Sequence, residues 1–467
     1  MKKLVGFLLA ISLLASMLLL VSCMSSSGGS YADGDYMGAP SIGGSISSGK
    51  GESFGSADSA PMSPEMGDAA MGDGADSSWD DVEPDEPAEK PEEEPEDKPV
   101  DNIRLPAGML TAGAQNDNQY YNSWLNLFIQ GETENGKFFN YTNPAYSWGF
   151  NSLNRIKVTV KTGSQPVAGA TVVATDEQGN TLFSAVSDAE GYAYLFTDAD
   201  NGTITVTSGV ETETAEFTSE ERNLEVNLSG SGVKLNVIEI MLVVDVTGSM
   251  GDEINFLKAE LADVINRIAA NDSRATIKLA MLFYRDTDDR VPFDYYDFTD
   301  VTTADGLAKQ QAALNKQSAT GGGDYPEAVD EALDIAVNKQ WSTGATTKII
   351  FQVLDAPAHS GDKYETKLVN ATKIAAEKGI RICPIICSGA AELTEYTMRE
   401  AAIYTGGTFI FVTDDSGIGG SHHDPDLPNV TVELLNSLMV RLVKGYHTGI
   451  FEEPIYWKQD PNLGINN

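Results

Sequence analysis

One apolar run constrains the fold of this 467-residue chain more than any other segment. Val237 to Val244 is apolar except for one Glu, and it leads directly into the polar sequence Asp245-Val246-Thr247-Gly248-Ser249. A run of this kind is typical of a buried parallel strand, and the pattern that follows predicts a tight loop and a helix. Ligands of open α/β sheets bind beyond the carboxyl ends of the strands. The sequence therefore predicts a cluster of oxygen ligands at a sheet edge.

A second apolar run has the same design. Lys348 to Leu354 ends in Asp355-Ala356-Pro357, so two carboxylates are expected at the same edge of one parallel sheet. Carboxylate and hydroxyl oxygens are hard ligands, which suit Mg²⁺, Ca²⁺ or Mn²⁺ better than zinc. An alternative interpretation is that Asp245, Thr247 and Ser249 only cap the helix that follows them.

Three motifs together carry a family resemblance. They are Asp245-x-Thr247-x-Ser249, the Gly-rich turn from Gly321 to Ala328, and Leu354-Asp355-Ala356-Pro357. In order and spacing they resemble the metal-ion-dependent adhesion site of a von Willebrand factor type A domain, over roughly Val233 to Gly449. The resemblance implies that Asp245, Thr247, Ser249, Asp355 and a residue of the Gly-rich loop surround one divalent cation. It also implies that the cation takes an acidic side chain from a protein partner.

The Gly-rich loop departs from the family pattern. Gly323 stands where many relatives have a Thr. We therefore predict Asp324 as the loop's metal ligand, with the alternative that it is a solvated turn residue. Thr320, Asp286 and His359 are predicted as neighbours of the ligands.

The N-terminus carries a targeting pattern. Lys2 and Lys3 precede an apolar stretch from Leu4 to Val21, and Leu20-Val21-Ser22-Cys23 resembles a bacterial lipobox. Residues 1–23 are thus predicted to be a lipoprotein signal peptide, with Cys23 carrying the lipid (palmitate). An uncleaved transmembrane anchor is the alternative. The expected location is the cell envelope, lipid-anchored and extracytoplasmic, either periplasmic or at the cell surface.

Composition divides the rest of the chain. Residues 24–103 are rich in Ser, Gly, Pro and acid and are predicted to be a disordered linker. Residues 104–150 are rich in aromatic side chains and are expected to pack on the next domain. Residues 451–467 are assigned as a C-terminal tail. The net charge of −38 argues against nucleic acid as a partner.

Two folded domains are predicted between these segments. Residues 151–232 contain seven short alternating runs separated by turn signals, which indicate an antiparallel β-sandwich. The segment around Pro166–Val172 and Asp188–Tyr192 resembles carboxypeptidase-regulatory-like modules. Residues 233–450 alternate between strands and helices, as in a doubly wound, Rossmann-like α/β domain. Its predicted strands are 237–244, 276–283, 291–298, 348–354, 381–386 and 408–412, and its predicted helices are 252–270, 304–317, 326–339, 364–378, 392–404 and 432–444.

These features favour a membrane-anchored, cation-dependent protein-binding module over an enzyme. One alternative is a metal-independent assembly or scaffold protein of the cell envelope. Another is a metal-dependent hydrolase or phosphotransferase with Asp245 as nucleophile. No general base at a defined spacing accompanies Asp245 in the sequence, and this weakens the enzyme hypothesis.

Overall fold

A computed structural model describes residues 105, 109–230, 236–271, 274–323, 325–343, 346–417, 427 and 430–463. The chain divides into two compact units, 1–94 and 95–467, and all described residues belong to the second. The predicted signal peptide, Cys23 and the whole of the predicted linker lie outside the described residues. In the part of the chain that is described, no helix is both long enough and apolar enough to cross a membrane.

The first described elements belong to the aromatic-rich segment. Strand β1 is Thr111–Gln115 and helix α1 is Tyr121–Asn126. Trp124 of α1 is fully buried and makes edge contacts with Phe128 and Phe138. The wide aromatic surfaces explain why so short a helix is stable here, since its packing contributes more than its intrinsic propensity.

Two four-stranded sheets follow. Their strands are β2 Arg155–Thr162, β3 Gln165–Pro166, β4 Thr171–Thr175, β5 Thr181–Val186, β6 Tyr192–Phe196, β7 Asn201–Ser208, β8 Glu211–Thr218 and β9 Asn223–Asn227. One sheet has the order β3-β2-β6 with β9 beside β2, and the other has the order β5-β4-β7-β8. Buried residues of both sheets, such as Val158 and Val206, belong to one hydrophobic cluster. The pairing is antiparallel except between β2 and β9, which are parallel, so the prediction of a purely antiparallel arrangement is wrong at this pair.

The remaining elements form an α/β unit around an eight-stranded sheet. Besides β1, its strands are β10 Val237–Asp245, β11 Thr276–Tyr284, β12 Phe293–Asp300, β13 Thr347–Leu354, β14 Ile380–Ile386, β15 Phe409–Val412 and β16 Glu433–Leu434. The strand order is β12-β11-β10-β13-β14-β15-β1-β16. The helices are α2 Gly251–Asn271, α3 Ala304–Asn315, α4 Val329–Val337, α5 Asp362–Glu377, α6 Glu392–Thr405 and α7 Leu435–Thr448.

This sheet is mixed rather than purely parallel. Strands β11, β10, β13, β14 and β15 are parallel to one another, as the sequence predicts. The outer strand β12 is antiparallel to β11, and β1 is antiparallel to β15. Because β1 comes from the aromatic-rich segment, this segment also completes the α/β sheet, which the sequence did not predict.

Helices cover both faces of the sheet, and the alternation of side chains along β10 explains how. Met241 and Val243 belong to the hydrophobic cluster that contains α4, α5 and α6. Ile240, Leu242 and Val244 belong to the cluster of α2, α3 and α7. A strand covered on both faces must be apolar at successive positions, which is the pattern seen in the sequence. This architecture leaves the carboxyl ends of β10 and β13 as the edge where polar groups gather.

Candidate metal centre

Asp245 is the last residue of β10 and its side chain is fully buried. Its Oδ1 accepts hydrogen bonds from the backbone N–H of Thr247 at 2.8 Å and from the Thr247 hydroxyl at 2.7 Å. Its Oδ2 has no hydrogen-bond partner. Burial, which disfavours the ionised form, raises the pKa of Asp245 to about 7. A buried carboxylate oxygen without a partner is costly unless a cation accompanies it.

Asp355 lies next to Asp245 because β10 and β13 are adjacent and parallel. Val244 is paired with Val353, so both carboxylates follow immediately at the same edge. Burial raises the pKa of Asp355, and a hydrogen bond with the Ser249 side chain opposes this shift. The structure therefore brings together four of the five predicted ligands, namely Asp245, Thr247, Ser249 and Asp355. The fifth, Asp324, lies outside the described residues.

Glu327 is a third acidic residue at this edge, and the sequence did not single it out. The sequence predicted a helix from residue 326, but α4 begins at Val329. Glu327 is instead extended, because its backbone N–H donates to the carbonyl of Pro357 at 3.0 Å and it forms an isolated bridge with Ala358. Its side chain is buried and its Oε2 has no hydrogen-bond partner.

The electrostatics of Glu327 show how close the acidic groups are. Burial raises the pKa of Glu327 to about 9, and the negative charges of Asp245, Asp286 and Asp355 add to the shift. The fully buried Tyr284 hydroxyl also has no hydrogen-bond partner, and its pKa is raised by burial and by the charges of Asp245, Asp355 and Glu327. Like charges at short range oppose ionisation in the absence of a cation.

The Gly-rich loop closes over these groups. Its Gly321 carbonyl accepts from the N–H of Gly248 at 3.2 Å, and the Thr320 N–H donates to Val246 at 3.0 Å. Gly322 has a φ of 74°. A Cβ at Gly322 would lie 2.8 Å from Glu327 Oε1 and 3.1 Å from the Thr247 Cβ. Only glycine allows the loop to approach Glu327 this closely.

Thr320, Asp286 and His359, the predicted neighbours of the metal ligands, lie at different positions relative to the acidic side chains. Thr320 lies in the loop, and its carbonyl accepts from Arg285 Nε at 2.7 Å. Asp286 is buried and its Oδ1 lies 2.8 Å from His359 Nε2. Its charge adds to the pKa shift of Glu327. Asp286 therefore lies at the acidic cluster, and His359 contacts the cluster through Asp286.

The chemistry of these donors fits a divalent cation with oxygen ligands. Within the described residues, no group of three or more His, Cys, Asp or Glu side chains is arranged as a complete metal site. A cation here would therefore need hydroxyl groups and water in addition to carboxylates, which is the coordination that Mg²⁺ prefers. Asp245 and Glu327 each have one buried carboxylate oxygen without a hydrogen-bond partner, and these two oxygens would attract such a cation.

Comparisons with known proteins agree with this architecture. Residues 239–413 match the family model of the von Willebrand factor A domain, and the chain contains such a domain. A curated relative, the alpha-protein kinase vwkA of Dictyostelium discoideum, is 24% identical over 151 residues, which are 32% of this chain and 23% of that protein. The chain thus spans less than a quarter of that relative's length.

Two solved structures have a more remote likeness. The conserved hypothetical protein BatB from Bacteroides thetaiotaomicron is 18% identical, with 38% of this chain and 90% of that chain covered and a TM-score of 0.29. The pilus adhesin SpaC from Lactobacillus rhamnosus GG is 12% identical, with 44% of this chain and 29% of that chain covered and a TM-score of 0.29. Similarity at this level does not define a function.

Proposed function

We propose that this protein is a protein-binding module of the cell envelope whose von Willebrand factor A domain binds its partner through a divalent cation. Such domains are generally interaction modules. The N-terminal lipid on Cys23 would hold the chain at the membrane, and the two smaller sheets, as a β-sandwich of the carboxypeptidase-regulatory-like type, would act as a stalk. Mg²⁺ is the expected cation, with Ca²⁺ or Mn²⁺ as substitutes.

One observation carries this proposal. Asp245 and Asp355 end adjacent parallel strands, and Asp245 and Glu327 each present a buried carboxylate oxygen with no hydrogen-bond partner. The described residues of this cluster include one cation whose charge lowers the Asp245 pKa, Arg285. A bound dication would offset the repulsion among the acids. Thr247 and Ser249 would supply hydroxyl ligands.

The charge of the cluster bears on the partner. If Asp245, Glu327 and Asp355 are all ionised around one dication, the centre keeps one negative charge. Such a centre would bind the metal tightly and attract an acidic partner side chain less strongly than a neutral centre. Asp324 would add further negative charge if it joins the ligands.

Enzymatic activity is the weaker alternative. The relative from Dictyostelium discoideum is named a kinase, but this chain matches only 23% of that protein's length. The Asp245 side chain is fully buried and its Oδ1 already accepts two hydrogen bonds. A nucleophile must instead be reachable by the substrate.

Calorimetric titration with Mg²⁺ tests the metal proposal. We expect Asp245→Asn to abolish binding and Glu327→Gln to weaken it at least tenfold. Asp305→Asn, which removes an exposed acid from the first turn of α3, is the matched control and should bind like the wild type. Equal affinity of the wild type and Asp245→Asn would refute the metal centre.

Affinity capture tests the binding role. The wild type, Asp245→Asn and Asp305→Asn would be immobilised and exposed to envelope extracts with Mg²⁺ or with EDTA. A partner retained by the wild type and by Asp305→Asn, and lost with EDTA or in Asp245→Asn, is the expected result. Retention that is indifferent to EDTA would instead favour the metal-independent scaffold.

A further inference from the structure

A cavity lined in part by cationic side chains lies far from the acidic edge, which is the edge of the sheet that carries Asp245, Glu327 and Asp355. Its volume is about 340 Å³, and it opens between the sheet that contains β4 and β5 and the α/β unit. Thr347 and Lys348, at the start of β13, line it. Asp355 follows the other end of the same strand, roughly 26 Å away at about 3.3 Å per residue. The cavity is therefore separate from the candidate metal centre.

The charge of the cavity is opposite to that of the whole chain. Its described lining includes four cationic side chains and two carboxylates, in a protein with a net charge of −38. All four cations belong to the α/β unit, because Lys348 lies on β13, Arg381 lies on β14, and Lys339 and Lys378 follow α4 and α5. A local excess of cations in a cavity attracts anions even when the net charge of the protein is negative.

Arg381 is the most informative residue of this lining. It is only 7% exposed, and its guanidinium lies 5.2 Å from the centre of the Tyr446 ring. Its Nε has no hydrogen-bond partner. A buried guanidinium N–H normally finds an acceptor, and leaving it without one costs free energy. An anion in the cavity would provide that acceptor.

The hydrogen bonds of the other polar groups show which N–H donors are left for a ligand. Lys348 is also 7% exposed, and its Nζ donates to the carbonyl of Lys378 at 2.9 Å, which leaves it further N–H groups. Asp188 faces the cavity, but its Oδ1 accepts from the N–H groups of Glu190 and Tyr192. The turn of Asp188 thus uses one oxygen of that carboxylate, and Arg381 and Lys348 remain as donors.

We infer that this cavity binds a small molecule carrying a dianionic phosphate group. Arg381 Nε and Lys348 Nζ offer N–H donors to such a group, and Arg and Lys are side chains that bind phosphate well. The volume leaves room for a small organic part beside the phosphate. The cavity is lined by residues of both the sheet of β4 and β5 and the α/β unit. A bound ligand would therefore contact both and stabilise their packing.

The experiment uses the full chain at constant ionic strength. Glycerol 3-phosphate, inorganic phosphate and neutral glycerol are titrated by calorimetry, and thermal unfolding is followed in parallel. We expect saturable binding of glycerol 3-phosphate at one site, a higher Tm in its presence, and no binding of glycerol. Equal affinity for inorganic phosphate would assign the site to the free ion. Failure of both phosphates to bind saturably would overturn the inference.

Two substitutions at the exposed Thr171 provide a matched pair. Thr171 lines the cavity from β4, so Thr171→Glu would place a carboxylate there, whereas Thr171→Gln has a similar size and no charge. We expect Thr171→Glu to bind the phosphate at least tenfold more weakly than Thr171→Gln, because the two side chains differ only in charge. Arg381→Met should also lose binding. If Thr171→Glu binds as well as Thr171→Gln, the cavity is not the site.

Discussion

The acidic residues of the candidate metal centre reach it in two ways. Asp245 and Asp355 lie where the ends of apolar strands place them, so their proximity was predictable from the sequence. Glu327 joins them because the chain before α4 is extended beside Pro357 and Ala358. The loop that contains Gly322 depends on this path, since its backbone lies against the Glu327 carboxylate.

Neighbouring glycines of this loop offer a sharp test. Gly322→Ala would put a Cβ within 2.8 Å of Glu327 Oε1 at a φ of 74°, and we expect a loss of stability of about 1–3 kcal/mol. Gly323→Ala is the control, because a Cβ there meets nothing within 4 Å. Its free energy of unfolding should change by less than about 0.5 kcal/mol. Urea unfolding of both variants measures the difference. Similar losses for the two would mean that the loop does not approach Glu327 in this way.

At the scale of elements, the aromatic-rich segment is tied to α6 by a buried ion pair. Arg399 is fully buried, and its Nε and Nη2 donate to the two oxygens of Asp117 at 2.9 and 2.7 Å. Its Nη1 donates to Glu395 at 3.0 Å. Bidentate geometry of this kind satisfies the guanidinium away from water. The pair thereby fixes the turn between β1 and α1 against the α/β unit.

Removing one partner should therefore be costly. We expect Asp117→Asn to lower the free energy of unfolding by about 3–5 kcal/mol, because Arg399 then keeps a single carboxylate partner while it remains buried. Asp263→Asn breaks a surface pair with Arg267 and should cost less than about 1 kcal/mol. Chemical denaturation of the two variants gives the comparison. A cost for Asp117→Asn as small as that of the surface variant would show that the buried pair does not anchor the segment.

At the scale of the whole molecule, one hydrophobic cluster runs from the smaller sheets into the α/β unit. It includes Val158 of β2, Phe183 of β5 and Tyr404 of α6. The Phe196 and Tyr404 rings stack at 4.7 Å. Ser152 and Glu400 meet beside this contact, where the Ser152 hydroxyl donates to Glu400 Oε1 at 3.0 Å. Because they share this core, we expect the smaller sheets and the α/β unit to unfold together.

The buried Glu400 makes this stability depend on pH. Burial raises its pKa to about 8, so between about pH 4.5 and 8 the folded protein binds more protons at this group than the unfolded chain does. The contribution of Glu400 to stability therefore falls as pH rises through this window. Glu400→Gln keeps an acceptor for Ser152 and cannot ionise. We expect its Tm to exceed that of the wild type by several degrees at pH 8.5 and by much less at pH 5.

Scanning calorimetry at the two pH values tests this expectation. Glu452→Gln, which changes an exposed acid near the C-terminus, is the control and should follow the wild type at both. A Tm difference between Glu400→Gln and the wild type that does not vary with pH would show that Glu400 does not titrate in this window.

The sequence by itself determined the elements of the α/β unit other than β1 and β16, and the places of Asp245 and Asp355. The predicted strands and helices there lie within about four residues of the observed ones, because apolar periodicity is a local property and both faces of the sheet are covered. Only the tertiary structure decided three other features. They are the insertion of β1 between β15 and β16, the extended path that brings Glu327 to the acidic edge, and the cationic cavity. Each depends on contacts between residues far apart in the chain, and no local pattern encodes such contacts.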